Sequence, residues 1–244
     1  MQRRFVPRKR KLAPMPDGMS FEQGAAFPVV YLTAYHMLYQ VGCIRPGERV
    51  LIHAAAGGVG LASIELAREA DAEIFGTASS SKFDFLRQRG VTHPIDYHRQ
   101  DFEKEVRRLT NGEGVDIALD AVGGESLAKG YRLLRPMGRL IIFGFSSAVV
   151  GARRNYLRLA MSLLKTPRFS PFKLFADNRA VIGVMLGFLK PEVLRREYPP
   201  LFKLYIEGKL HPHVDRIFPL AQAAPAHEYI QKRKNVGKVV LVPE

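Results

Sequence analysis

The chain has one cysteine, Cys43, in 244 residues, and no tryptophan. A single thiol excludes a disulfide framework and a multi-cysteine zinc site. Cys43 follows Gly42, where a helix is expected to end, so it reads as a buried or linker thiol rather than a nucleophile. No apolar run reaches the roughly 18 residues that a membrane-spanning helix needs. The N-terminus is basic and lacks the apolar stretch of a secretory signal, so a cytoplasmic protein is expected.

Acidic residues are also scarce: 23 Asp and Glu stand against 37 Lys and Arg, a net charge of +14. Six of the first eleven residues are basic, and Arg153–Arg154 and Lys232–Lys234 form further clusters. Such charge serves a nucleic acid, an anionic membrane, an anionic cofactor or simply a solvated surface. No nucleic-acid-binding motif accompanies it, and without tryptophan few stacking side chains remain, so nucleic acid is set aside as a partner. Peripheral contact with an anionic membrane stays open.

At 47% hydrophobic and 25% charged, the chain is long and apolar enough for a full globular core. The most informative stretch is Arg49–Gly60, RVLIHAAAGGVG, a strand running into a glycine turn and then a helix. In a dinucleotide-binding domain this turn receives the pyrophosphate. Gly57 lets the backbone approach, Gly60 lets helix pack on strand, and the free N–H groups of the helix start hold the anion. Ala55 stands where the usual G-x-G-x-x-G pattern has its first glycine. A plain strand–turn–helix also fits the pattern, so the surroundings must decide.

Strand signals at 49–54, 73–77, 92–95, 115–120 and 138–143 alternate with helix signals at 59–70, 81–89, 101–110 and 125–134. That alternation predicts an α/β fold, a Rossmann-type doubly wound parallel sheet with its ligand at the carboxyl ends of the strands. An apolar stripe from Phe27 to Val41 predicts an entry helix. Gly151–Asn178, interrupted by Pro167 and Pro171, predicts a helix and a long loop. A strand near 180–185, a helix at 191–208, and strands at 214–218 and 237–242 around a helix at 221–232 complete the pattern.

An NAD-specific domain carries Asp or Glu at the end of its second strand for the ribose 2′-hydroxyl. Here that stretch is Gly76-Thr77-Ala78-Ser79-Ser80-Ser81-Lys82, with hydroxyls and a lysine and no carboxylate, which favours a 2′-phosphate and hence NADP(H). Ser79 as a helix cap and Lys82 as a solvated charge remain compatible with the same residues.

Further motifs are Tyr31-Leu32-Thr33-Ala34-Tyr35, Val91 to His98, Leu134-Arg135-Pro136-Met137-Gly138, Asn178-Arg179-Ala180-Val181 and Lys234 to Val239. With these the chain resembles the zinc-independent quinone-oxidoreductase branch of the medium-chain dehydrogenase/reductase superfamily, nearest its vesicle amine transport protein group. The resemblance runs from about Leu12 to the end. It implies a GroES-like domain of on the order of 100 residues forming the other wall of the substrate cleft. This sequence would carry only remnants of that domain at both termini. The expected domains are 1–26 as remnant and linker, 27–210 as NADP-binding domain, and 211–244 as a tail rejoining the GroES-like domain.

The resemblance also implies cofactor contacts. Gly58 and Val59 would hold the pyrophosphate beside Gly57 and Gly60; Ser79, Ser80 and Lys82 would meet the 2′-phosphate; Tyr97 would lie by the adenosine. Ala121, Val122 and Gly123 would pass under the ribose and nicotinamide, with Phe143, Gly144, Phe145 and Ser146 at the nicotinamide. Tyr35, Asn235 and Lys238 would close over the cofactor, and Val30 replaces an asparagine expected in this branch. The implied activity is hydride transfer from NADPH to a quinone or α,β-unsaturated carbonyl substrate by a homodimer, impaired here by the missing domain. No catalytic residue is assigned, and no metal set: Cys43 is alone and His36, His53, His93 and His98 form none. The competing implication is a non-enzymatic NADPH-binding protein at anionic membranes, where each basic residue contributes about 1 kcal/mol.

Overall fold

The computed structural model describes residues 14–146 and 166–243. The N-terminal basic cluster, Arg153–Arg154 and most of the expected helix and loop after Gly151 lie outside the described residues.

Six strands make one parallel sheet: β1 (Arg49–Ile52), β2 (Glu73–Ala78), β3 (His93–Asp96), β4 (Val115–Asp120), β5 (Leu134–Ile142) and β6 (Ala180–Gly183). Their order is β3-β2-β1-β4-β5-β6, and every pairing is parallel. This is the doubly wound order expected of a dinucleotide-binding domain. The strands are short apolar runs because both faces are covered. Val50, Ile52, Ile74, Ile117 and Leu119 bury into one core, while Leu51, Phe75, Ala118 and Leu140, one residue out of phase, bury into the other.

Helix α1 (Phe21–Tyr35) lies in the first core and continues as a π-helical turn over His36–Val41. It starts six residues before the expected Phe27. Ser20 and Gln23 form a reciprocal capping box, which satisfies N–H groups that a start at Phe27 would leave open. Helix α2 (Gly58–Glu69) packs on α1. Helix α3 (Phe83–Gln88) follows a single 3₁₀ turn at Ser80–Lys82, and α4 (Phe102–Leu109) and α5 (Glu125–Leu133) cover the second face. The fifth strand begins at Leu134, earlier than expected, with an irregularity between the Val115 and Ile117 pairings that takes up the Pro136–Gly138 turn.

Pro171 starts helix α6 (Pro171–Asp177) instead of breaking one, because its missing N–H falls at the first helical position and Ser170 caps it. Helix α7 (Pro191–Ile206) docks on α1 and its π-helical extension through a buried His36–Glu197 hydrogen bond, 2.7 Å, and through Phe202 and Tyr205 around Phe27. Strands β7 (Val214–Pro219) and β8 (Lys238–Val242) pair with each other in a separate two-stranded parallel sheet around helix α8 (Ala223–Gln231).

The tail is anchored by a buried carboxylate. Glu65 on α2 accepts the Tyr31 hydroxyl at 2.6 Å, the Arg89 guanidinium at 2.8 Å and the His211 N–H at 3.0 Å. That anchor carries His211-Pro-His213 directly into β7. Of the two readings of Cys43, buried or linker, the structure shows the second: it is exposed, at φ +45°, in the turn that leaves the π-helical segment.

Candidate functional site

Strands β1 and β4 are neighbours, yet β1 leads into α2 on one face and β4 into α5 on the other. The chain therefore opens a crevice beyond their carboxyl ends, the usual ligand position in such sheets. Four turns line it, one after each of β1, β2, β4 and β5.

The turn after β1 is a seat for an anion. Gly57 caps α2 in extended conformation and has no side chain to bond the helix's first N–H groups, so those of Gly58, Val59 and Gly60 are left to a ligand. Gly60 is required by packing, since a Cβ there would fall 2.5 Å from the carbonyl oxygens of Ala54 and Ala55. At Gly58 the close neighbours are side chains: a Cβ would fall 2.8 Å from Lys238 Cδ and 3.1 Å from Val30 Cγ1. Val30 thus presents apolar surface where the resemblance implied an amide. The tail crosses this turn. Gly57 bridges Gly237, whose N–H donates to the Ala56 carbonyl at 2.8 Å, and Asn235 closes the tail's own turn by donating to the Gly237 carbonyl. Lys238 is laid beside the helix start by these bonds.

The turn after β2 holds Ser79, half-buried, and Ser80, exposed, and no carboxylate. Lys82 is not a free surface charge. Its ammonium donates to the carbonyls of Arg233 at 3.0 Å and Asn235 at 2.6 Å, and burial pushes its pKa down against the opposing pull of Asp215. An ammonium has three donors, and these two carbonyls take two of them. Tyr97 follows β3, partly exposed, with its N–H on the Ala78 carbonyl and its ring against His98.

The turns after β4 and β5 are stitched together. Phe143 N–H donates to the Asp120 carbonyl and Ser146 N–H to that of Ala121. Gly144 lies against Ala121, and the Phe145 ring covers Gly123, where a Cβ would fall 2.6 Å from Phe145 Cδ1. Asp120, fully buried, organises this corner. Its Oδ1 accepts the N–H of Val122 at 2.6 Å and of Gly123 at 2.8 Å, and its Oδ2 accepts the Ser126 hydroxyl at 2.6 Å. His53 stands beside it, with Nδ1 3.0 Å from Thr77 Oγ1 and Nε2 4.0 Å from Asp120 Oδ2. Burial pushes the His53 pKa down, and the Asp120 charge opposes it. Thr77, His53 and Asp120 have the residue types of a nucleophile–base–acid relay, but all three are buried, so no substrate reaches the threonine hydroxyl.

The fold therefore gathers Gly57–Gly60 with Asn235 and Lys238, and Ser79–Ser80 with Lys82. It also gathers Ala121–Val122 with Phe143–Ser146. Tyr35 is set apart: it stacks on Tyr39, whose hydroxyl bonds the Leu66 carbonyl about two turns along α2 from Gly58. Burial, then the Glu197 charge, raises its pKa. Sequence reading missed Asp120, His53 and Glu65. Asp120 ends a strand just before a glycine pair, a position from which a short carboxylate reaches the amides two and three residues on. Among the described residues no group of three or more His, Cys, Asp or Glu is placed to hold a metal ion.

A family model described as zinc-binding dehydrogenase matches residues 89–241. The chain belongs to this family, the medium-chain dehydrogenase/reductases, in their VAT-1-like branch. It is 43% identical over 232 residues to the human synaptic vesicle membrane protein VAT-1 homolog, covering 94% of this chain and 59% of that protein. A CurK enoyl reductase structure superposes with a TM-score of 0.78 at 33% identity, over 95% of this chain and 65% of that one. Escherichia coli quinone oxidoreductase, solved in complex with NADPH, superposes at 0.81 with 29% identity, over 96% of this chain and 69% of that one. The chain thus spans less than two thirds of the VAT-1 relatives it matches. The family and these neighbours make it an oxidoreductase-family protein. The family's name implies zinc, which the described residues do not fit, so no step is derived through a metal.

Proposed function

We propose that the chain binds NADPH in this crevice and supplies the dinucleotide half of a quinone or α,β-unsaturated carbonyl reductase. The observation that carries the reading is the uncapped start of α2, flanked by Lys238 and by a β2 turn without a carboxylate. A pyrophosphate there would take the N–H groups of Gly58, Val59 and Gly60 with the helix dipole behind them. The remaining N–H of Lys82 and the hydroxyls of Ser79 and Ser80 suit a 2′-phosphate; a carboxylate in that turn would repel it. NADPH, when bound, supplies the hydride; the protein orients it and excludes water. Phe143–Ser146 and Ala121–Val122 border the position of the reacting ring, and no titratable side chain of this chain is assigned to the proton. The reading takes the reaction to be zinc-independent.

The resemblance implies a GroES-like domain opposite this crevice. The 244 residues assayed by themselves are therefore expected to bind NADPH and to reduce quinones slowly. The test is NADPH oxidation with a quinone acceptor, beside direct titration; robust saturable turnover would contradict the impaired-catalysis reading, and absence of NADPH binding would contradict the whole.

The protein is proposed to act in the cytoplasm as a homodimer, extending the sheet from β6, its edge strand among the described residues. Met185 and Phe188, just past that strand, are 65% and 85% exposed. A second reading, NADPH binding at anionic membranes without turnover, is favoured by the net charge of +14. No helix among the described residues is long and apolar enough to cross a membrane. Co-sedimentation with phosphatidylserine vesicles that is lost at high salt would support this second reading.

A further inference from the structure

The corner formed by β1, β2 and β4 contains a buried polar chain that the proposed function does not use. Asp120 is fully buried and bonded through both oxygens: to the amides of Val122 and Gly123, and to the Ser126 hydroxyl at the start of α5. A buried carboxylate is costly unless its oxygens are paired, so these contacts hold the turn to it. The turn needs that hold. Gly123 and Gly124 sit at φ +79° and +66°, outside the helical and extended conformations of the flanking elements. Phe145 rests on Gly123, and Ser146 bonds the Ala121 carbonyl. The carboxylate therefore sets the position of both turns on the β4–β5 side.

His53 completes the chain. Its Nδ1 meets Thr77, the last but one residue of β2, and its Nε2 is buried with no hydrogen-bond partner among the described residues. The tautomer that fits carries the proton on Nε2. Thr77 then donates to Nδ1, and the Nε2–H faces Asp120 Oδ2 across 4.0 Å. The Phe102 ring, edge-on at 4.5 Å, closes the remaining side.

We propose that Asp120 is a positioning residue for the nicotinamide-side half of the bound dinucleotide, acting through the Val122 and Gly123 amides, with His53 as its support. The proposal rests on the reading of the crevice as an NADPH site. It separates the two halves of that site. The adenosine half lies over β2 and β3 and does not depend on Asp120; the nicotinamide half lies over β4 and β5 and does.

The experiment compares two ligands, NADPH and adenosine 2′,5′-bisphosphate, on wild type and Asp120→Asn, by calorimetry. An asparagine turned to accept at the two amides loses the charge; turned the other way it sets donor against donor. NADPH affinity is expected to fall about tenfold, with adenosine 2′,5′-bisphosphate unchanged within about twofold. Equal loss of both ligands would mark Asp120 as merely structural and overturn the proposal, as would no loss of either. Wild type binding neither ligand would overturn the crevice reading itself.

Should Asp120→Asn fail to fold, Ser126→Ala keeps the carboxylate and both amide bonds. It is expected to show the same selective loss at about two- to fivefold. Amide exchange on the unliganded wild type supplies a second readout. Val122 and Gly123 are expected to be protected although they belong to no helix or sheet ladder, and exchange at open-loop rates would overturn the proposal.

Discussion

Substitutions at Gly58 and Gly60, two residues apart, should have opposite consequences. At Gly60 an added methyl meets the backbone oxygens of Ala54 and Ala55 at 2.5 Å, and neither can move without shifting the turn from β1. Overpacking of this kind costs about 2 kcal/mol. For a domain of this size that corresponds to a fall in Tm of about 4–8 °C. At Gly58 the methyl meets Lys238 Cδ at 2.8 Å and Val30 Cγ1 at 3.1 Å. The lysine stem is flexible and can swing away, and alanine is a better helix former than glycine by about 0.5–1 kcal/mol. Gly58→Ala should therefore leave Tm within about 2 °C. It should nevertheless weaken NADPH binding about tenfold, because the methyl stands where the anion approaches the helix start. The assays are differential scanning calorimetry and NADPH titration on both variants. A Gly60→Ala protein as stable as wild type, or a Gly58→Ala protein less stable than Gly60→Ala, would refute the packing argument.

Other consequences concern the buried polar groups and the sheet edge. His53 and His213 both have their folded pKa lowered, chiefly by burial. The unfolded chain then binds more protons below about pH 6.5, so their contribution is present above that pH and is lost as pH falls through the folded values. Urea midpoints should decline from pH 6.5 towards 5, and His53→Asn should flatten that slope; an unchanged slope would contradict it. Glu65→Gln removes the charge that binds Arg89 beside Tyr31 and the His211 amide, and should cost about 3 kcal/mol by urea unfolding while exposing the tail to protease. A change below about 0.5 kcal/mol would mean that the anchor contributes nothing measurable. Sedimentation equilibrium at micromolar concentration should show a dimer, and a strictly monomeric profile would contradict pairing through β6.

The parallel sheet and its glycine turn were legible because both are local. A strand shows as an apolar run, a βα turn as glycines at fixed spacing, and alternation of the two sets the sheet. The capping box at Ser20 and Gln23 is equally local, but the apolar stripe that starts at Phe27 is the stronger signal and hides it. Pro171 reads as a breaker by residue type alone, yet its position after Ser170 makes it a helix start. The remaining differences are long-range. Lys82 is half-buried because a tail segment about 150 residues later supplies two carbonyls, and nothing near Lys82 announces that. Glu65 reads as one more polar position on α2 until the tail closes over it. His53 follows β1 and Asp120 ends β4, and the two become neighbours only through the strand order.

The measurement that tests the account most directly is titration of the folded 244-residue protein with NADPH and NADH, followed by nucleotide fluorescence, on wild type and Lys82→Met. Saturable NADPH binding, weaker NADH binding and a narrowed difference in the variant are expected from a 2′-phosphate seated between Ser79, Ser80 and Lys82. No saturable binding of NADPH, or NADH bound as tightly, would contradict the assignment of the crevice.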